Sequence, residues 1–364
     1  MSDGRLVAGH AVFHRLPVAD IEWLTDDAVA ITFDVPSHLA DDYVFEPGQH
    51  LSIRAPQLGD DVRRNYSICA PVGSGRLRIG VKRLLGGAFS EYALTTLVRG
   101  DELEVMTPSG RFTPRLDPAQ ARHYAMLVAG SGITPVLSIA ASVLAVEHAS
   151  RVTLVCANQR AASVMFLEEL ADLKDRYSDR FHLIHLLTQE PAEVELFSGR
   201  LDGSRLGRII DALLPVELVD QWYLCGPYAM VVDLRETLEA HGVDPTHVHS
   251  ELFHVESTPP ARVVAPEADD SFAPAVSFLL DGRRSTVRVP RDGVPVLEAA
   301  LTVRADAPYA CKGGVCGTCR AKVLAGTVRM DTNYALEPEE LEHGYVLTCQ
   351  SHPTSDEVLL DYDA

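Results

Sequence analysis

The chain has 364 residues and a formal net charge of −19, with 51 Asp and Glu against 32 Lys and Arg. At about 150 residues per domain it divides into two or three domains, and its 46% hydrophobic and 23% charged residues exclude a disordered or fibrous chain. The acid excess argues against nucleic-acid binding, which needs Lys and Arg to displace the counterions of phosphates.

From the N-terminus to residue 117 the chain reads as β. Short runs such as Ala28–Phe33 and Leu77–Val81 are separated by turn residues at Glu46-Pro47-Gly48, Pro71 to Gly75 and Pro108-Ser109-Gly110. That pattern predicts an antiparallel β-barrel. The opening residues contain no apolar core followed by small residues, so no signal peptide is visible.

Within this region Arg64-Asn65-Tyr66-Ser67 ends a turn and begins a strand, and Val81-Lys82 leads into Gly86-Gly87-Ala88-Phe89-Ser90 ahead of a helix over 91–97. A Gly-Gly turn opening a helix offers free N–H donors and the positive end of the helix dipole to a phosphate. Arg64 adds a charge-assisted bond to the same group, Tyr66 offers a ring for stacking and Ser67 a hydroxyl. The bland alternative is a surface hairpin.

Residues 118–255 alternate apolar strands (124–129, 152–157, 181–187, 222–225) with helical segments (162–177, 229–241), which predicts a doubly wound α/β sheet. Tyr124 to Val146 carries no charge and has the length of a membrane span. Gly130-Ser131-Gly132-Ile133-Thr134-Pro135 interrupts it, which makes it a strand, a tight turn and a helix. That turn departs from G-x-G-x-x-G by its Pro135. It is joined by Cys225-Gly226-Pro227 at the end of a later strand, where ligands of open α/β sheets bind. Cys225 could equally be a small buried hydrophobe. After the second strand, Arg160 with Ser163 nearby stands where an Arg takes a 2′-phosphate, favouring NADPH, with NADH possible.

Residues 256–274 are Pro-rich and read as a linker. Residues 275–364 open with a hairpin over 276–289 turning at Asp281-Gly282, then a helix over 296–303. Four of the seven Cys fall in the last 54 residues, as Cys311, Cys316, Cys319 and Cys349. The C-x4-C-x2-C spacing with a distant fourth Cys is the plant-type arrangement for a 2Fe–2S cluster. A structural zinc site is the alternative, but zinc favours paired C-x2-C knuckles. This usage fits a metal site in a reducing cytoplasm better than a disulfide framework.

R-x-Y-S, G-S-G-I-T-P and C-G-P, in this order, resemble the ferredoxin–NADP reductase superfamily. With the appended ferredoxin the chain is similar to reductase components of bacterial oxygenases. The segments 308–319, 330–341 and 344–350 are most similar to the reductase subunits of phenylacetyl-CoA epoxidases; reductases of steroid hydroxylases share the architecture. The resemblance implies a β-barrel FAD domain, an α/β nucleotide domain and a β-grasp-like α+β ferredoxin domain. It implies FAD on Arg64, Tyr66, Ser67, Val81, Lys82, Gly87, Ala88, Phe89 and Ser90. It implies the nicotinamide nucleotide on Gly130, Gly132, Thr134, Pro135, Arg160, Cys225, Gly226 and Pro227, with Phe253 near the flavin. Ser67, Cys225 and Glu251 would be catalytic. Hydride would pass from NADPH to FAD, then single electrons through the 2Fe–2S cluster to separate oxygenase subunits, with neither nucleic acid nor membrane involved. A stand-alone redox-sensing protein is the rival reading. Glu251 to His254 and Glu340 to His343 both spell E-x-x-H, as di-iron helices do, but they lie in different modules and read as chance matches.

Overall fold

The computed structural model describes residues 12–59, 62–190, 194–254, 273–336 and 338–364. The linker reading at 256–274 therefore lies outside the described residues except for its last two positions. One compact unit spans Val12–Val255, and the described residues from 273 onward belong to another.

The first unit begins with β1 (Phe13–Thr25), β2 (Ala28–Phe33), β3 (His50–Arg54), β4 (Arg63–Ser67), β5 (Leu77–Lys82), helix α1 (Ala88–Thr95) and β6 (Glu102–Met106). The strands are ordered β4-β3-β6-β1-β2-β5 and every pairing is antiparallel. Ile68 bridges Ile79, and the Cys69 N–H donates to Arg78 O at 2.9 Å, so the sheet closes into a barrel. Helix α1 starts three residues before the expected position, because the Glu91 N–H already bonds Gly87 O.

Strand β2 is buried on both faces. Val29, Ile31 and Phe33 fill the barrel, while Ala28 and Ala30 face a second core shared with the following sheet. Small residues outside and large ones inside let a second layer press on the barrel wall.

That layer comprises β7 (His123–Ala129), α2 (Ile133–Val146), β8 (Arg151–Asn158), α3 (Leu167–Arg176), β9 (Phe181–Leu187), α4 (Gly203–Ala212), β10 (Gln221–Pro227), α5 (Tyr228–Ala240) and β11 (Val248–His254). The sheet is all parallel, ordered β11-β10-β7-β8-β9. Tyr124, Met126 and Val128 pack with α2 and α3, whereas Ala125 and Leu127 pack with α4 and α5. The strand order reverses between β7 and β10, which puts the topological switch point at their carboxyl ends. The uncharged 124–146 stretch is thus a buried βα unit. Among the described residues no helix is long and apolar enough to cross a membrane.

One helix expectation needs correcting. The segment expected to be helical from Ala162 is a short turn over Ala161–Ser163, and α3 begins only at Leu167. Phe166 takes a left-handed φ of 58°, and Val164, Met165 and Phe166 are buried. Burial of these three against the barrel overrides local helix propensity.

The second unit comprises β12 (Ala275–Leu280), β13 (Arg283–Arg288), α6 (Val296–Val303), β14 (Arg320–Ala325), β15 (Val328–Met330), α7 (Pro338–Glu342), β16 (Tyr345–Leu347), β17 (Ser351–Pro353) and β18 (Glu357–Asp361). Asp281 and Gly282 both have positive φ, as a two-residue hairpin turn requires. The sheet order β13-β12-β18-β14-β16, with β12 and β18 parallel, is β-grasp-like.

Candidate redox sites

Two candidate flavin residues meet at the barrel. Tyr66 on β4 sits 5.2 Å, centroid to centroid, from Phe89 at the start of α1, so the R-x-Y-S strand and the Gly-Gly turn are neighbours. Arg64 is exposed, its guanidinium near its own chain at Arg63 O (2.7 Å). Gly86 has a φ of 74°, and no side chain caps the start of α1, leaving its first N–H groups for an anion. The Ser90 hydroxyl is committed to the turn, accepting from Leu84 N at 3.0 Å. Val81 is buried in the barrel core, and Lys82 pairs with Asp27 at 3.4 Å.

At the switch point, Gly130 has a φ of 55°, and a Cβ on Gly132 would stand 2.2 Å from the Cys225 carbonyl oxygen. The glycine turn therefore lies directly on the end of β10. Gly226 is also closely packed, against Met230 and Ala129, while Pro227 is exposed at the start of α5. Thr134 and Pro135 are buried. The Thr134 hydroxyl bonds Ser131 O at 3.0 Å, and its methyl faces Gly80, where a Cβ would meet it at 2.6 Å. Both hold the turn against the barrel.

Ser67, Cys225 and Glu251 are brought together. Cys225 is paired with Glu251 across β10 and β11, and the Ser67 hydroxyl stands 3.4 Å from Glu251 Oε2. Burial lifts the Glu251 carboxyl to about 8, and burial also keeps the Cys225 thiol neutral. His50, which the sequence reading passed over, completes the group. It is buried, its Nδ1 lies 3.9 Å from Glu251 Oε1, and its Nε2 lies 3.3 Å from the Ser109 hydroxyl. Burial pushes its imidazole down to about 4. At neutral pH the pair is thus a neutral imidazole beside a largely protonated carboxyl, not an ion pair. Phe253 is half-buried against the shared core.

Arg160 is separate from this group. Its Nε donates to Gln189 Oε1 at 3.0 Å, and the neighbouring Ala161 N–H donates to Glu190 Oε2 at 3.1 Å. An acid therefore shares the turn with the Arg. Its sequence signal was the Gln189-Glu190 pair, one residue beyond the end of β9.

In the second unit Cys311 is exposed, Cys316 half-buried, and Cys319 and Cys349 buried. Among the described residues no three His, Cys, Asp or Glu side chains close on a single ion. The sulfurs instead neighbour each other in two pairs, Cys311 with Cys316 and Cys319 with Cys349. Two thiolates for each of two irons is what a 2Fe–2S cluster needs, so the donor set fits that group. The Cys316 thiol, then backbone N–H groups of Gly313, Val315 and Cys316, hold the Cys311 thiol below its ordinary value. Of the nine Asp and Glu between 331 and 364, Asp331, Glu340 and Asp356 pair with Arg329, Arg320 and Arg291. The two E-x-x-H stretches fall on strand β11 and around the five-residue α7, neither of which is a long di-iron helix.

Three family matches cover these modules: an oxidoreductase FAD-binding domain over residues 15–113, an oxidoreductase NAD-binding domain over 126–236, and a 2Fe–2S iron-sulfur cluster binding domain over 278–354. The chain is 43% identical to one of the subunits of the 1,2-phenylacetyl-CoA epoxidase of Escherichia coli (strain K12), across 97% of this chain and 98% of that protein. It is 36% identical to the 3-ketosteroid-9-alpha-monooxygenase ferredoxin reductase component of Mycolicibacterium smegmatis, across 96% and 97%. Among solved structures, phthalate dioxygenase reductase shares the fold at a TM-score of 0.58 and 24% identity, across 96% and 98% of the two chains. The chain belongs to the ferredoxin–NADP reductase superfamily, as an NAD(P)H-dependent flavin and iron–sulfur oxidoreductase of the kind that passes electrons to an oxygenase.

Proposed function

We propose that this chain is the reductase of a phenylacetyl-CoA epoxidase, taking electrons from NADPH and delivering them to separate oxygenase subunits. The observation that carries this is the 43% identity to the Escherichia coli protein over 97% of this chain, which takes in all three modules. When bound, FAD converts the two electrons of a hydride into single electrons and the 2Fe–2S cluster carries them onward.

The residues divide the work. Arg64 and the open start of α1 would hold the FAD pyrophosphate, and Tyr66 would offer its ring to the flavin. Gly130 and Gly132 bring the nicotinamide nucleotide to the carboxyl ends of β7 and β10. Cys225 supplies an uncharged wall at the site of transfer. Ser67 and Glu251 hold a proton between them at Oε2, and His50 keeps that carboxyl from facing a competing cation. Cys311, Cys316, Cys319 and Cys349 hold the cluster.

Arg160 favours a 2′-phosphate and so NADPH. A second reading, NADH, is favoured by the Glu190 carboxylate on the same turn, because an acid there suits a ribose 2′-hydroxyl. The steroid-monooxygenase relative supports another partner assignment. Both partner readings face one experiment: the purified chain and reduced nicotinamide are mixed with the other subunits of a phenylacetyl-CoA epoxidase or with a ketosteroid monooxygenase oxygenase. Epoxidation of phenylacetyl-CoA is the expected result; turnover only with the steroid oxygenase would overturn the proposal.

A further inference from the structure

Gln350, the residue after the fourth cysteine, is a polar side chain buried to 9% exposure beside the cluster cysteines. Its Nε2 donates to Lys312 O at 3.0 Å and Cys349 O at 3.0 Å, and reaches Cys349 Sγ at 3.7 Å. Its Oε1 accepts from the Thr332 hydroxyl at 2.6 Å. Two backbone carbonyls can only accept, so they fix which end of the amide faces them.

Lys312 has a φ of 52°, one of three described non-glycine residues with positive φ. L-residues avoid this region, so something must hold it there. The backbone carbonyl is gripped by Gln350, and the Lys312 ammonium is 3.0 Å from Glu298 Oε1 and above the Tyr309 ring. The Lys312 carbonyl and the Gly313 N–H belong to one planar trans peptide and point in opposite directions. Pinning the oxygen therefore aims the N–H, and the Gly313 N–H indeed donates to Cys311 Sγ at 3.3 Å. One amide thus places a donor near a sulfur of each pair: on Cys349 through an N–H shared between its carbonyl oxygen and its Sγ, and on Cys311 through the peptide it orients.

We propose that Gln350 is a positioning residue that raises the reduction potential of the cluster by setting these two N–H···S contacts. Reduction adds negative charge to the cluster and its thiolates, so donors aimed at sulfur stabilise the reduced form more than the oxidised one. The proposal rests on the assignment of the four cysteines as the two-iron site, and the test separates the two claims.

The test compares the full-length loaded protein with Gln350→Met, which keeps length but removes the donors, and Thr332→Val, which frees the amide without touching a sulfur contact. Iron content and the midpoint potential from an anaerobic redox titration followed by electron paramagnetic resonance are the readouts. The expected result is two irons per chain in the native protein and a lowered midpoint in both variants, more so for Gln350→Met. A loaded Gln350→Met with the native midpoint overturns the proposal. If that variant does not load, an unshifted Thr332→Val midpoint overturns it instead. A native chain without iron would overturn the cysteine assignment itself.

Discussion

Arg78 on barrel strand β5 and Glu169 on helix α3 of the nucleotide sheet hold each other at 2.9 Å, Nη1 to Oε1. The guanidinium is buried, lies over the Phe166 ring at 5.2 Å, and also binds Glu22 on β1. Two residues on, Gly80 leaves room for Thr134, Met165 and Phe166. Removing a buried donor to charged acceptors costs about 2 kcal/mol. Arg78→Met should lower stability by about that amount in denaturant unfolding, and the loss should be equal whether barrel or sheet signals are followed. Unequal transitions would mean the two modules unfold separately.

The pH dependence of stability follows from Glu251 and His50. The raised carboxyl, at about 8, binds a proton that the unfolded chain releases near its ordinary value. Its contribution is full at low pH and is lost as pH rises towards 8. The lowered imidazole, at about 4, acts oppositely, adding stability as pH rises from 4 to 6.5. The two offset each other below pH 6.5, and the Glu251 slope stands alone from there to 8. Glu251→Gln should flatten the fall of Tm between pH 6.5 and 8, and His50→Gln should leave that fall in place.

Gly130 and Gly132 separate conformational from steric demand. A Cβ on Gly130 meets nothing within 4 Å but must adopt a φ of 55°. A Cβ on Gly132 meets backbone at 2.2 Å. Gly130→Ala should cost about 1 kcal/mol. Gly132→Ala should cost about 1–3 kcal/mol and weaken coenzyme binding more strongly, since β10 must shift. Equal KM values for the two variants would contradict this.

The proposed function places coenzyme choice at Arg160 and Glu190. Arg160→Ala should raise KM for NADPH and spare NADH. Removing the carboxylate charge in Glu190→Gln should improve kcat/KM for NADPH over NADH by about tenfold, the equivalent of one charge interaction of about 1.4 kcal/mol. Steady-state assays with both coenzymes read this directly.

The proposed function makes the cluster the exit for electrons. Cys316→Ser should abolish cytochrome c reduction while sparing NADPH-dependent ferricyanide reduction at the flavin. Loss of both activities would place the exit elsewhere.

Much of this was legible in the sequence because it is local. The C-x4-C-x2-C loop, the glycine turns and the strands from Ala28, Phe181 and Val276 declare themselves within a few residues. The rest depended on contacts across the chain. His50 gains meaning only beside Glu251, two hundred residues away. Phe166 leaves the helical region only because the barrel takes it in. Gly80 did carry a signal, since an isolated glycine inside a strand marks a close approach of something else.

The core shared by Ala28, Ala30, Cys69 and Phe112 with Tyr124, Val136 and Ile139 bears on inheritance. A recombination event between β6 and β7 would strip apolar faces from both products at once, so the barrel and the parallel sheet travel as one heritable block. The cluster-bearing unit closes its own core from Val276 to Leu360. It can therefore be gained, lost or moved to another place in a gene without unmaking the rest.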